Sequence, residues 1–447
     1  MGTRTATRRR FLAGTAAASA AAMAAPYVRG AHAAGSLSIA FWDHWVPGGN
    51  TAMNEICQAW ADKEKVDLKI DYVSTQGNKL LLTIAAEAHA KSGHDIIDLS
   101  AWEPNQHAKL LEPIDDVMTQ VLARNGSIWS STEYLAKAGG KWVAMPSSRG
   151  TLVLPPCTRF DLLKDIAGID VRAMYPPRAE PTKDADNWTW DAFLAAAEKC
   201  HKAGYPFGLG LGTTTDSCDW VGALFQAYGA ELVNAKGDIQ VKSDTVAQVL
   251  DYAVRLAAFL PPDAASWDNA SNNKWLVSGK GALIFNPPSA WVVAKRDAPD
   301  IASKLWTHAM PKGPKGRCIS LLPRFQGIWN FSKNKSAAKS LLAHISTPES
   351  IEKLVAGGQG YDLPPFPKFN YIKTWDEQGP PEGVTSHYPN KGDQVPIIPC
   401  APAPHAVAAQ MYTQGIMPKM IVRLARGEER SKTLDWAAAE LEGYMRN

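Results

Sequence analysis

The 447-residue sequence predicts an α/β protein folded as two lobes around a hinged interlobe cleft. Three observations carry that prediction. Apolar spacing switches between a period of about two and one of about 3.6 from Leu37 onward, the mark of strands interleaved with helices. About 414 residues remain beyond a predicted leader, more than one hydrophobic core usually holds. A second set of strands and helices begins near Pro146, and further crossings are read near Phe285 and Phe331, so the chain leaves one lobe, builds another and returns.

The elements follow in order. Leu37 to Trp42 is a short apolar run with Ile and Phe, a buried strand. Thr51 to Lys63 carries Met53, Ile56, Ala59 and Trp60 at helical spacing. Val66, Leu68, Ile70 and Tyr72 alternate with polar residues as a strand does. Lys79 to Lys91 returns to helix, and Asp95 to Leu99 to strand. This alternation means parallel pairing with helices packed on the sheet. Beyond Pro146, Thr151 to Pro155 reads as a strand and Phe160 to Ile166 as a short helix. Tyr175 to Asn187 is rich in proline and charge, a surface excursion. Thr189 starts a helix to Ala203, with Phe193, Ala196 and Ala197 on one face. Phe207 to Leu211 reads as a glycine-rich strand. Asp219 to Tyr228 and Thr245 to Leu260 read as helices, and Ala282 to Phe285 as a buried strand. Thr347-Pro348-Glu349 is a helix start, with proline where its missing N–H does no harm. Ser431 to Met445 closes the chain as a helix.

Thr7-Arg8-Arg9-Arg10-Phe11-Leu12 is a twin-arginine pattern followed by small apolar residues from Ala13 to Ala25. Ala31-His32-Ala33 offers a small-x-small cleavage site, so residues 1–33 read as a leader and the mature chain begins near Ala34. No cysteine lies near that point, which argues against a lipoprotein. Removing residues 1–33 takes away five arginines and no acids, so the balance moves from 47 − 44 = +3 to 42 − 44 = −2. Such a chain lacks the concentrated basic surface a nucleic-acid partner needs. No later run reaches about 18 apolar residues, so no spanning segment is expected. The six cysteines are widely spread; Cys200 and Cys218 are the only close pair, and export of an already folded chain disfavours any one disulfide without settling whether one forms. No C-x-x-C, H-E-x-x-H or G-x-S-x-G occurs, and Gly208-Leu209-Gly210-Leu211-Gly212 lacks the dinucleotide-binding spacing. Neither a metal nor a cofactor is expected.

Six landmarks then occur in order. They are Leu37-Ser38-Ile39-Ala40-Phe41-Trp42, Leu110-Leu111-Glu112-Pro113-Ile114-Asp115-Asp116 and Lys141-Trp142-Val143-Ala144-Met145-Pro146. Gly279-Lys280-Gly281-Ala282-Leu283-Ile284-Phe285-Asn286 with Trp291, Gln326-Gly327-Ile328-Trp329-Asn330-Phe331 and Gly358-Gln359-Gly360-Tyr361-Asp362-Leu363-Pro364 complete the series. In this the chain resembles the extracellular solute-binding proteins of the maltose-binding-like class, over almost the whole mature length. Asn286-Pro287-Pro288 stands where that family favours glycine, and Pro155-Pro156 where it commonly has a Tyr-Asn pair. The resemblance implies a type II periplasmic-binding-protein fold and a substrate-binding protein of an ABC importer. It would be exported to the periplasm as a monomer and would hand a small polar solute, a mono- or oligosaccharide, to permease subunits. The expected lobes are residues 34–147 with 286–331, and 148–285 with 332–447.

In open α/β sheets ligands bind beyond the carboxyl ends of the strands. A sugar presents flat C–H faces and an equator of hydroxyls, which call for aromatic rings and for carboxylates or amides. Trp42, Asp43, His44 and Trp45 supply both in the loop after the first strand. Trp102 and Glu103 follow the third strand, though Glu103 would also suit the first turn of a helix. Arg149 follows the first crossing and is either a cleft residue or a solvated hinge charge. Trp220, Asn286, Trp291 and Tyr361 complete the candidates, while Asp219 equally suits a helix cap and Trp329 a core strand. Two other readings stay open. One is an exported glycan-active enzyme using Asp43 and Glu103 as paired carboxylates. The other is a binder of a polyamine, a phosphate ester or a metal chelate.

Overall fold

The computed structural model describes residues 35–150, 152–286, 288–379, 381–384 and 392–446. The leader and cleavage site expected within residues 1–33 lie outside these. The strands that organise the chain are β1 (Ser36–Trp42), β2 (Asp67–Val73), β3 (Ile96–Ser100), β4 (Met145–Pro146), β5 (Leu152–Val153), β6 (Pro156–Arg159), β7 (Leu283–Phe285), β8 (Leu305–Thr307), β9 (Arg317–Leu322), β10 (Arg324–Ile328) and β11 (Gln394–Ile397). The helices that matter for the site are α1 (Pro47–Glu64), α2 (Lys79–Ala90), α3 (Thr215–Tyr228), α4 (Ser289–Asp297), α5 (Lys335–Ile345), α6 (Pro348–Gly357) and α7 (His405–Thr413).

The first lobe holds a five-stranded sheet in the order β2-β1-β3-β10-β4. β1 runs parallel to both β2 and β3, as the alternating strand–helix pattern requires. β10 enters antiparallel between β3 and β4. The second lobe holds two three-stranded sheets, β8-β6-β7 and β11-β9-β5. Every residue of β3 is buried, so the strand is apolar on both faces except where Asp98 and Ser100 point toward the site.

The expected lobe boundaries need correction. Leu305–Thr307 pairs with Cys157–Arg159, and Leu321 and Leu322 pair with Val153 and Leu152. The chain therefore stays in the second lobe until Leu322, not Phe285, and returns through Pro323 into β10. Conversely, α5 and α6 pack on α1 in the first lobe rather than in the second. Trp60 Nε1 donates to Ser340 Oγ at 3.1 Å across that contact. A short strand's partner is fixed by tertiary register, which a local apolar pattern does not encode. Phe207 to Leu211 likewise forms no strand. Its Gly208 N donates to Leu283 O and its Leu211 N to Ala264 O, two separate bonds rather than a ladder.

Local signals hold elsewhere. Thr189 caps the helix Trp190–Lys202 by accepting from Ala192 N, and Thr347 caps α6 by accepting from Ser350 N. Asp219 is not a cap: Thr214 caps α3, and Asp219 lies inside that helix, buried, accepting from Ser320 Oγ and Tyr412 Oη. All six cysteines are buried and unpaired, and burial pushes each thiol upward. No described helix is long and apolar enough to cross a membrane.

The α1–α6 contact depends on glycine. A Cβ at Gly48 would stand 2.6 Å from Gly357 O, and one at Gly357 would stand 2.7 Å from Gly48 O. The start of α1 and the end of α6 thus meet backbone to backbone. Gly357→Val should push them apart and lower stability by about 1–3 kcal/mol, read as a shifted denaturant midpoint with unchanged slope.

Candidate functional site

β1, β3 and β10 all end or begin at the same edge of the first sheet, and their terminal residues build the floor of a cleft between the lobes. The Trp42 backbone N–H donates to Asp98 Oδ2 at 2.8 Å, which fixes the end of β1 against β3. Ser100, opposite Arg324 in the register, donates from N and Oγ to Glu103 Oε2 at 2.6 and 3.2 Å. Arg324 lays its guanidinium over the Trp42 ring, 4.4 Å from the centroid. Gly150 has φ +116, and a Cβ there would stand 3.1 Å from Arg324 Cγ, so glycine makes room for the arginine stem.

The cleft encloses about 1030 Å³, its open mouth included. Trp42, Trp45, Ser100 and Glu103 line it from the first lobe, with Thr75 and Asn78 from the loop after β2. Thr213, Thr214, Thr215 and Asp216 line it from the second lobe at the start of α3, with Asn269, Asn286, Ser289 and Tyr412. Tyr361 lies at the junction, 5.9 Å from Trp42 ring to ring. The lobes touch across the mouth where Gly77 N donates to Asp268 Oδ2 at 3.0 Å. A second opening of about 1310 Å³ lies beyond Trp45, which lines both spaces.

Burial shapes the ionisation of the cleft. It pushes the Glu103 carboxyl up to about 7, against the lowering effect of its bonds from Ser100. It pushes Asp216 up to about 7 as well, despite the bond from Asn272 Nδ2. Burial likewise raises the Tyr361 phenol.

Of the residues expected at the site, Trp42, Trp45, Glu103, Asn286 and Tyr361 line this cleft. Trp42 is only 2% exposed, yet the ring it hides from solvent forms part of the floor. Asp43 and His44 line the second opening instead. Asp43 accepts from Asn50 Nδ2, and His44 is held with Nδ1 accepting from Val46 N and Nε2 2.9 Å from Asp362 Oδ1. Arg149 lies beneath the floor, 1% exposed, donating to Trp42 O and Asn50 Oδ1. Three tryptophans are not at the cleft. Trp102 is core, donating to Pro399 O at 2.9 Å and packing edge-on against Tyr134 and His405. Trp220 is core, donating to Gly210 O at 2.8 Å. Trp291 lines a separate groove beside Phe160, Arg172 and Trp306. In each case a loop-like sequence position proved to be a packed one.

Arg324, Asp216, Tyr412 and the threonines at 213–215 were not among the expected residues. Arg324 had a visible signal: one arginine two residues after the apolar pair Leu321-Leu322, next to a proline. Tyr412 had none, because it reaches the cleft from α7, far along the chain.

Two measurements check this geometry. Trp102→Ala should cost about 3–5 kcal/mol of stability as a core truncation. A ligand titration on the folded fraction should change far less, which separates packing from contact. The raised Glu103 carboxyl should make stability fall with rising pH. The contribution is fully present below the ordinary glutamate range and is lost as pH rises toward about 7. Glu103→Gln should flatten that limb of a melting-temperature profile between about pH 4.5 and 7.

Residues 45–352 match the bacterial extracellular solute-binding protein family. A probable ABC transporter-binding protein of Deinococcus radiodurans is 25% identical over 320 residues, covering 64% of this chain and 67% of that protein. Among solved structures, the maltose-bound MalE3 of T. maritima superposes with a TM-score of 0.71 at 18% identity, over 92% of this chain and 99% of that one. An ABC transporter solute-binding protein of Thermotoga lettingae, bound with α-D-tagatose, gives 0.73 at 17% identity, over 92% and 100%. One from Agrobacterium vitis with bound D-mannitol gives 0.67 at 19%, over 92% and 99%. Two α/β lobes, a cleft at the carboxyl ends of the strands and this match over most of the length agree: the chain belongs to the bacterial extracellular solute-binding proteins and is a solute-binding protein of an ABC transporter.

Proposed function

We propose that the cleft captures a mono- or oligosaccharide, without altering it, and delivers it to the permease subunits of an ABC importer after export by the twin-arginine route to the periplasm. One observation carries this: aromatic faces and hydroxyl-binding groups converge on a single space. Trp42, Trp45 and Tyr361 offer ring surface, while Ser100, Thr214, Thr215, Asn269, Asn286 and Glu103 offer short polar groups around it. That pairing suits a ring with two C–H faces and an equator of hydroxyls. The solutes named for the similar structures, maltose, tagatose and mannitol, are polyhydroxyl compounds and support the reading.

Closure would bring α3 and Asn286 of the second lobe onto a ligand resting on the Trp42 floor. Such binding shifts a hinge equilibrium and requires no chemistry on the solute. The alternative of a glycan-active enzyme is disfavoured, since Asp43 and Glu103 line different spaces rather than facing each other across one. A polyamine is disfavoured as well, because the cleft carries an arginine and its two carboxyls are held partly protonated near neutral pH.

Titration of intrinsic tryptophan fluorescence against a panel of mono- and oligosaccharides and polyols tests the proposal. A saturable change with at least one sugar is expected, and silence across the panel removes carbohydrate as the ligand class. Tyr361→Ala and Trp42→Ala should each weaken the responding sugar about ten- to a hundredfold, or about 1.4–2.8 kcal/mol.

A further inference from the structure

One arginine in the floor of the cleft, Arg324, and one beneath it, Arg149, lack the carboxylate partners that buried guanidinium groups usually have. Arg324 Nε and Nη2 are both buried and without a hydrogen-bond partner, as are Arg149 Nε and Nη1. Among the described residues neither side chain has a carboxylate oxygen within 4.0 Å. Leaving a buried cation unpaired is costly, and proteins normally satisfy it with a carboxylate.

Nearby carboxyls do not fill this role. Asp98 gives Oδ2 to the Trp42 backbone N–H and leaves Oδ1 buried without a partner, and Glu103 commits Oε2 to Ser100. Burial holds Glu103 partly protonated near neutral pH, so it offsets little of the arginine charge. Two guanidinium groups therefore stand near two carboxyls, neither hydrogen-bonded to them and both raised by burial. The unpartnered pair on Arg324 is the Nε/Nη2 edge, a planar two-donor fork. The same edge grips a carboxylate twice elsewhere in this molecule. Arg159 holds Asp161 with bonds of 2.8 and 2.6 Å, and Arg296 holds Asp297 with bonds of 2.6 and 2.7 Å. Arg324 lines the cleft beside Trp42, Glu103 and Tyr361, so its guanidinium borders the space a solute would take.

We infer that the sugar taken by this cleft carries an anionic group, a carboxylate or a phosphate, seated on Arg324. This rests on the carbohydrate reading above and narrows it to acidic sugars. The Trp42 ring would then serve two partners, holding the guanidinium on its face and offering its edge to the sugar. A bidentate seat favours the planar carboxylate of a uronate, and phosphate shares the same donors.

Calorimetric titration of the purified full chain with D-galacturonate and D-glucuronate, their methyl esters, D-glucose 6-phosphate and D-glucose tests the inference. The uronates share ring and hydroxyls with their esters and differ in charge. The charged member of a pair should bind about tenfold or more tightly than its neutral counterpart. Arg324→Met should erase that preference, and Arg324→Lys should keep only part of it, since lysine retains charge but loses the fork. Tighter binding of the sugar phosphate than of either uronate would assign the anion as phosphate and uphold the inference. Equal or tighter binding of the esters or of D-glucose would overturn the anionic group while leaving sugar capture standing. Binding of none of these, with silence across the neutral panel, would remove the carbohydrate reading and this inference together. The comparison of acid with ester is made on the unaltered chain, so it decides the matter even if an Arg324 variant fails to fold.

Discussion

Pro323 is the single residue between β9, which belongs to the second lobe, and β10, which belongs to the first. Much of the architecture depends on that short passage. β10 inserts antiparallel between β3 and β4 and closes the first sheet, while β9 pairs with β5 and β11 in the other lobe. Pro323 O accepts from Ala101 N at 3.0 Å, which ties the crossing to the loop after β3. The lobes are thus joined by backbone that is hydrogen-bonded almost to the point of crossing. Rotation of one lobe against the other has to be taken up by very few dihedrals. Arg324 follows the crossing directly, so the charged side chain of the floor sits on the first residue beyond the pivot.

The floor is expensive to build and its costs are distributed. Placing a guanidinium on an indole recovers about 0.5–2 kcal/mol, which offsets only part of the cost of withdrawing the charge from water. Asp98 adds attraction at longer range, and the Trp42 backbone N–H offsets only part of its burial, which still pushes its carboxyl upward. Removing any one of Trp42, Asp98 or Arg324 would leave the other two exposed to a different environment, so their contributions cannot be added as independent terms.

How much of this could be read in the sequence follows from what each signal encodes. The succession β1, α1, β2, α2, β3 was legible because periods of about two and about 3.6 are local properties. The caps Thr189 and Thr347 were legible because a hydroxyl three residues before an amide acts within one turn. Lobe membership of Leu305–Thr307 was not, since three apolar residues fit either sheet. The loop after β1 was found by the strand-end rule, and Trp42 and Trp45 do line the cleft. Trp102 and Trp220 carried the same local appearance, and only their indole N–H bonds to Pro399 O and Gly210 O reveal them as core. Asp216 and Tyr412 became neighbours of the cleft through helix packing across nearly two hundred residues of chain, which no short motif records.

The six buried, unpaired cysteines carry a consequence of their own. Oxidants and alkylating agents attack the thiolate, and here each sulfur is both shielded and kept protonated. The folded chain can therefore move between reducing and oxidising surroundings with its covalent structure unchanged and without help from thiol-exchange enzymes. Once opened in an oxidising medium it has no such immunity. Six newly reactive sulfurs could join in combinations absent from the native state, and unfolding that is reversible in a reducing buffer would become a chemical dead end.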